Sequence, residues 1–345
     1  MSRVADAALR VLSVLPEQKN PPTYRLAYLE QEIISFLALS SIKGVGFETL
    51  RKISERGIAY AEVIDLQNKN DVSTILRSAG ARLSDETAAP WGSTRERALS
   101  RGYELLDRLT KIDGKVIFHS DKEYPSQLLD LPDAPRWLFV QGNSEVLRGP
   151  SIAVVGSREP SDDGIWLSRY VGFNLSEWSC PTVSGLAVGI DQEIHSASLR
   201  AGVPTISFLG TGIFSDYPRN SEKLRDAIAK SGGAIVTEYL PADTYSSKNF
   251  VKRNRLQAAL AAALIPVEWA AKSGTAHTVR YAASLSRPIA CLRLPFGKVP
   301  DWVNTEIAKK ASVFTVPQQQ LEFVQFVLAS VRSRPERQRQ QLSLF

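Results

Sequence analysis

Cysteine and histidine are nearly missing from this chain of 345 residues: Cys180 and Cys291, with His119, His195 and His277, are the whole supply. The two cysteines form no spaced pair, which argues against a disulfide framework and a thiolate metal site. The histidines lack ligand spacing, so a structural zinc would want its donors; no metal and no cofactor are expected. No stretch offers the roughly 18 consecutive apolar residues of a membrane span. The start, Met1 to Asp6, lacks a charged-then-apolar export signal, so the expectation is a cytoplasmic protein without membrane association. A strong charge of one sign is absent too: 42 basic against 36 acidic side chains leave a net charge of +6. That excess permits a polyanionic partner, and its placement decides more than its size. With 43% hydrophobic and 23% charged residues, the composition is that of a globular protein, and the length suggests more than one domain.

The texture of the chain divides it. Residues 1–112 read as a small all-helical domain, with apolar residues at three and four spacing in Glu30–Leu39, Glu48–Ile53 and Thr94–Leu106. From Lys115 the pattern changes to short β-branched or aromatic runs separated by helix-length stretches: Val116–Phe118, Trp137–Val140, Ile152–Val155, Pro181–Val183, Thr205–Leu209, Ala234–Val236, Ala263–Val267 and Pro288–Leu292. Strand alternating with helix predicts an α/β domain over 113–299, a parallel sheet with helices on both faces. A short helical segment is expected at 300–332, then a flexible basic tail at 333–345.

Four segments of the α/β region carry the chemistry. The strand Ile152–Val155 runs into Gly156-Ser157-Arg158, a strand-to-helix turn of the type that binds anions on free amides and a helix dipole, with Arg158 as a planar phosphate fork. It is not the Gly-x-Gly-x-x-Gly dinucleotide signature. The second, Thr182–Asp191, supplies Ser184 and Gly185, with Asp191 at a helix start and His195 one turn later. Ser184 lacks the Gly-x-Ser-x-Gly elbow of a nucleophile, so a structural Asp191–His195 hydrogen bond is expected and no residue is assigned as catalytic. Lys252, Arg253, Asn254 and Arg255 form the densest basic cluster of the α/β region, expected at a helix start. Finally, Ser273, Gly274 and Thr275 open a helix after Val267-Glu268.

In order along the chain, Tyr124-Pro125, Pro135–Asn143, Ala153–Arg158, Val183–Asp191, His195, Leu209–Gly212, Tyr217-Pro218, Thr237-Glu238, Phe250 with Arg253–Arg255, Val267-Glu268 and Ser273-Gly274 resemble the DNA-processing protein A (DprA, Smf) family over about 120–297. The resemblance implies an extended Rossmann domain that dimerises and binds single-stranded DNA without catalysis. It further implies that the strand passes to a RecA-type recombinase in DNA recombination or transformation. Carried over by position, the binding pocket would use Gly156, Ser157, Arg158, Ser184, Gly185, Lys252, Arg253, Asn254 and Ser273. More weakly, Leu37–Leu50 resembles the family's small helical domain, with a helix-hairpin-helix-like turn near 42–53. Gln341, Leu342, Ser343, Leu344 and Phe345 resemble the pentapeptide with which bacterial DNA-metabolism proteins dock on the sliding clamp.

Two other classes compete with a strand-binding adaptor. A nucleotide-binding or nucleotide-hydrolysing Rossmann protein, similar to nucleoside monophosphate phosphoribohydrolases, would need a carboxylate where this chain has Thr278. An interaction scaffold would use the tail and leave the pocket idle.

Overall fold

A computed structural model describes residues 22–83, 90–296, 300–304 and 308–342. The chain divides into two compact units, 1–107 and 108–345. In the first, helices α1 (Pro22–Ser40), α2 (Phe47–Glu55), α3 (Tyr60–Asp65) and α4 (Lys69–Ser78) follow one another, and α5 (Trp91–Lys111) runs on across the boundary. Apolar residues at helical spacing, among them Leu37, Leu50, Ile53, Val63, Ile64 and Leu76, are buried. The carboxylate of Glu32 accepts the amides of Tyr60 and Ala61 at 2.8 and 2.9 Å, which satisfies open donors at the start of α3. The turn from α1 to α2 holds Gly44 at φ +90°, a backbone state that only glycine adopts without strain.

The second unit is built on a sheet of β1 (Gly114–Phe118), β2 (Trp137–Gly142), β3 (Ile152–Val155), β4 (Thr182–Ser184), β5 (Thr205–Phe208), β6 (Ala234–Thr237) and β7 (Ala263–Pro266). Among the described residues the strand order is β1-β2-β6-β5-β4-β3-β7. Strands β6, β5, β4, β3 and β7 run parallel, as the alternating pattern predicts. The antiparallel edge made by β1 and β2 was not legible, because a short run of Val, Ile and Phe does not state its direction. Helices α6 (Asp162–Phe173), α7 (Leu175–Trp178), α8 (Ile190–Arg200), α9 (Glu222–Lys230), α10 (Ser247–Leu260) and α11 (Gly274–Ser284) connect and cover these strands.

Alternation along β3 shows how both faces are filled. Ile152 and Val154 enter one core with Leu167, Val171, Ile190 and Ile194 of α6 and α8. Ala153 and Val155 enter the other with Leu256 and Leu260 of α10 and Val279 of α11. A period of two thus feeds a helical layer on each side, and the strand reads as continuously apolar because neither face meets water.

Two expectations for the C-terminal part are corrected. Residues 300–332 are not purely helical: β8 (Ala290–Arg293) pairs in parallel with β9 (Ser312–Thr315), and the final helix α12 begins only at Gln320. The β9 signal is four residues long and sits between lysines and Pro317, too short to register as alternation. Helix α12 also extends to Leu342, through residues assigned to a flexible tail; the Glu, Arg, Gln and Leu there are good helix formers, so a polar composition did not mean an irregular backbone. Ser343, Leu344 and Phe345 of the clamp-like pentapeptide lie outside the described residues. No helix among the described residues is long and apolar enough to cross a membrane.

Candidate functional site

The sheet order reverses at β3: β4, β5 and β6 follow on one side of it and β7 lies on the other. At such a switch point the helices leaving neighbouring strands depart to opposite faces, and a crevice opens at the strands' carboxyl ends. Here a cavity of ≈ 640 Å³ is walled by the β3 turn Gly156-Ser157-Arg158, the start of α11 at Ser273-Gly274-Thr275, and one face of α10. The turns are fastened to each other. Thr275 donates to the Gly156 carbonyl at 2.9 Å, and Asn254 of α10 donates to the Gly274 carbonyl at 3.2 Å. Ser273 is the N-cap of α11, its hydroxyl accepting the Ala276 amide at 3.3 Å. Gly189, at φ +90°, stands so close that a side chain there would meet the Arg158 carbonyl at 2.7 Å.

Helix α10 selects which of its residues reach the cavity. Phe250, Arg253, Asn254 and Gln257 share the i, i+3, i+4, i+7 face and all line it. Arg253 is 3% exposed. It donates to the Gly185 carbonyl at 2.8 Å and to the Phe208 carbonyl, which ties α10 to the ends of β4 and β5. Burial pulls its guanidinium down to about 10, opposed by Asp191, so it remains charged at neutral pH. Asp191 is raised by its own burial, against the Arg253 charge, the Ser184 hydroxyl and the amides of Ala187 and Gly185. Above this floor Arg158 is exposed and has no ion pair among the described residues. Its guanidinium carbon lies 5.9 Å from the Phe250 ring centre, and that of Arg253 lies 5.6 Å from it. Tyr217 and Tyr245 complete an aromatic group with Phe250, with ring centres 4.8 to 5.3 Å apart.

Of the residues singled out in the sequence, Gly156, Ser157, Arg158, Arg253, Asn254, Ser273, Gly274 and Thr275 meet at the cavity. Ser184 and Gly185 lie behind it: the Ser184 hydroxyl donates to the Val154 carbonyl at 2.7 Å, and Gly185 is the acceptor for Arg253. The basic cluster corrects the expectation of a helix start, since α10 begins at Ser247 and the cations lie in its body. Arg255, about 200° around the helix from Arg253, points elsewhere. It makes a buried ion pair with Glu238 at 2.6 Å and a second pair with the half-exposed Asp133 at 2.9 Å, so its guanidinium is already occupied within the fold. Lys252 is half-buried and does not line the cavity. The expected Asp191–His195 bond is also corrected. His195 shares a hydrogen bond with the Thr205 hydroxyl at 2.7 Å, while Asp191 accepts the Gly185 amide at 3.1 Å. Burial drives the imidazole down to about 3, so it is neutral.

Tyr245 and Gln257 line the cavity without having been singled out. Nothing in the loop around Tyr245 marks it. Gln257 did leave a signal, a lone amide within the apolar run Leu256–Leu260. Thr278 lines the cavity where a hydrolase of the competing class would carry its acid.

Residues 115–325 match the family described as DNA recombination-mediator protein A. The Escherichia coli protein Smf is 35% identical over 218 residues, which are 62% of this chain and 57% of that one. The chain therefore spans less than two thirds of that relative's length. The crystal structure of DNA processing protein A from Streptococcus pneumoniae superposes with a TM-score of 0.61 and 27% identity, covering 85% of this chain and 98% of the other. A second solved structure, DNA processing protein A from Helicobacter pylori, whose single-stranded DNA binding mode it describes, shares the fold at a TM-score of 0.54 with 23% identity, over 61% of this chain and 95% of that one. With the family match extending over more than half of its length, this chain belongs to the DNA recombination-mediator protein A family.

Proposed function

We propose that the protein binds single-stranded DNA in the crevice between β3, α10 and α11 and acts without turnover as a mediator of recombination. One observation carries the reading: an exposed arginine, Arg158, and a capped helix start at Ser273 face the same cavity, whose wall includes the rings of Phe250 and Tyr245. Cations and amides suit the phosphates of a strand, and aromatic faces suit its unstacked bases. A duplex keeps its bases paired and stacked and cannot use the aromatic wall. The family match and the strand-binding relative from Helicobacter pylori support the same reading.

The reading is one of binding without turnover, in keeping with two of the crevice carboxylates being held by the fold. Asp191 accepts the Gly185 amide, and Glu268 accepts the amide and hydroxyl of Ser161 at 2.9 and 2.8 Å. Delivery of the strand to a RecA-type recombinase, homodimer formation and docking of residues 341–345 on a sliding clamp belong to the same proposal, supported by the residues that resemble the family and the pentapeptide. Competition between labelled single-stranded and duplex oligonucleotides of one length tests the core of it. Preference for the single strand is expected; equal affinity, or hydrolysis of a nucleotide in the same preparation, overturns it.

A further inference from the structure

The crevice contains a polar group that the protein itself leaves unused. Gln257 is 1% exposed, lies in an apolar stretch of α10 and lines the cavity. Among the described residues its amide nitrogen has no hydrogen-bond partner, and neither has Nε of Arg253 on the same helix face. Buried donors are nearly always paired, because desolvation without a partner is costly. Two such donors on one cavity floor are therefore the mark of a site that is completed by its ligand.

The chemistry of the pair indicates which part of a strand completes it. A phosphate is served by cations and backbone amides, and the β3 turn with Arg158 already provides these. A neutral amide adds little there, since it carries no net charge and offers one acceptor oxygen that would repel the anion. Base edges are different: each alternates donors and acceptors, and a Gln amide matches such a pattern in two parallel hydrogen bonds. The space agrees, because ≈ 640 Å³ falls within the range of pockets that enclose whole small molecules and exceeds the need of a single phosphate. Tyr245, 51% exposed at the same cavity, leaves a ring for the face of the base.

We infer that this cavity takes up one unstacked nucleobase, whose edge is hydrogen-bonded by the Gln257 amide, next to the phosphate held at the Arg158 turn. The inference rests on the single-strand reading above and adds to it that the protein senses the presence of a base, not only the backbone. A paired base has its edge occupied and cannot enter.

The test uses the full chain with two ligands of equal length, oligothymidylate and an abasic phosphodiester strand. Wild-type protein should bind both, and the base-bearing strand more tightly. In Gln257→Leu that extra affinity, read as the ratio between the two ligands, should shrink by about 2- to 10-fold, the worth of a neutral hydrogen bond. A base-dependent increment that Gln257→Leu leaves unchanged, or an equal loss for both ligands, would overturn the inference. Should the leucine variant fail to fold, the side-chain amide resonance of Gln257 in nitrogen-15-labelled wild-type protein supplies the answer: it should move with oligothymidylate and stay in place with the abasic strand, and the opposite result refutes it. Wild-type protein that binds neither ligand would instead bring down the single-strand reading itself.

Discussion

The guanidinium of Arg253 donates to the carbonyl of Gly185 at 2.8 Å, and a Cβ on Gly185 would fall on that guanidinium. The two residues are 68 positions apart, yet each sets a condition on the other: the charge that floors the crevice fits only because the residue that follows β4 has no side chain. Gly185→Ala should displace Arg253 and cost about 1–3 kcal/mol of stability, as overpacking of a closed interior does. Denaturant unfolding measures it, and the variant should also bind single strands more weakly. A stable variant with full binding would show that Arg253 has room to move.

Arg255 of α10 and Arg158 of the turn after β3 should separate by assay. Arg255 and Glu238 are both buried, so Arg255→Ala leaves an unpaired carboxylate in the interior and should destabilise the fold by about 3–5 kcal/mol. Arg158→Ala, at an exposed position, should unfold at the wild-type denaturant concentration. The same unfolding experiment on both variants distinguishes the structural arginine from the ligand-facing one.

How much of this was legible in the sequence follows from the kind of signal each feature leaves. The parallel strands were legible because both faces of β3 are buried and Ile152–Val155 is apolar throughout. The glycines and hydroxyls at strand ends were legible for a different reason: tight turns restrict residue type. What escaped depended on direction. Lys252, Arg253 and Arg255 looked equivalent as a charge cluster, and only the helical phase of α10 shows that Arg253 faces the crevice with Phe250, Asn254 and Gln257, while Arg255 meets Glu238. His195 and Asp191 have the right spacing for a mutual bond, but the nearby Thr205 hydroxyl on β5 takes the imidazole. That competitor lies ten residues on, on the strand that follows the helix, so the helical spacing of Asp191 and His195 does not announce it.

His195 gives the fold a pH dependence of known sign. Its folded value, about 3, lies below the ordinary 6.5 because burial penalises the charged ring. Between these values the unfolded chain binds the additional proton, so this contribution is complete above pH 6.5 and is lost as the pH falls toward 3. From pH 7 to 5 the loss should be about 2 kcal/mol. Unfolding curves of wild type and His195→Gln compared over this range should show a flatter dependence in the variant; parallel curves would assign the acid sensitivity to other groups.

Tyr245 should contribute to strand binding beyond its packing on Tyr217 and Phe250. Its ring is 51% exposed, and a base stacked on an aromatic side chain is worth about 1–3 kcal/mol. Tyr245→Ala should weaken single-strand binding by that amount in fluorescence anisotropy at a temperature where thermal unfolding shows the variant fully folded; full affinity in the folded variant would contradict a base stacked on this ring.

Salt titration of single-strand binding by wild type and Arg158→Ala addresses the crevice most directly. If Arg158 holds a phosphate, its removal takes away one counterion-releasing contact. The slope of log affinity against log salt should then be shallower in the variant by about 0.7, with affinity reduced at low salt. Identical slopes and affinities in a folded Arg158→Ala protein would contradict the assignment of this crevice as the strand-binding site.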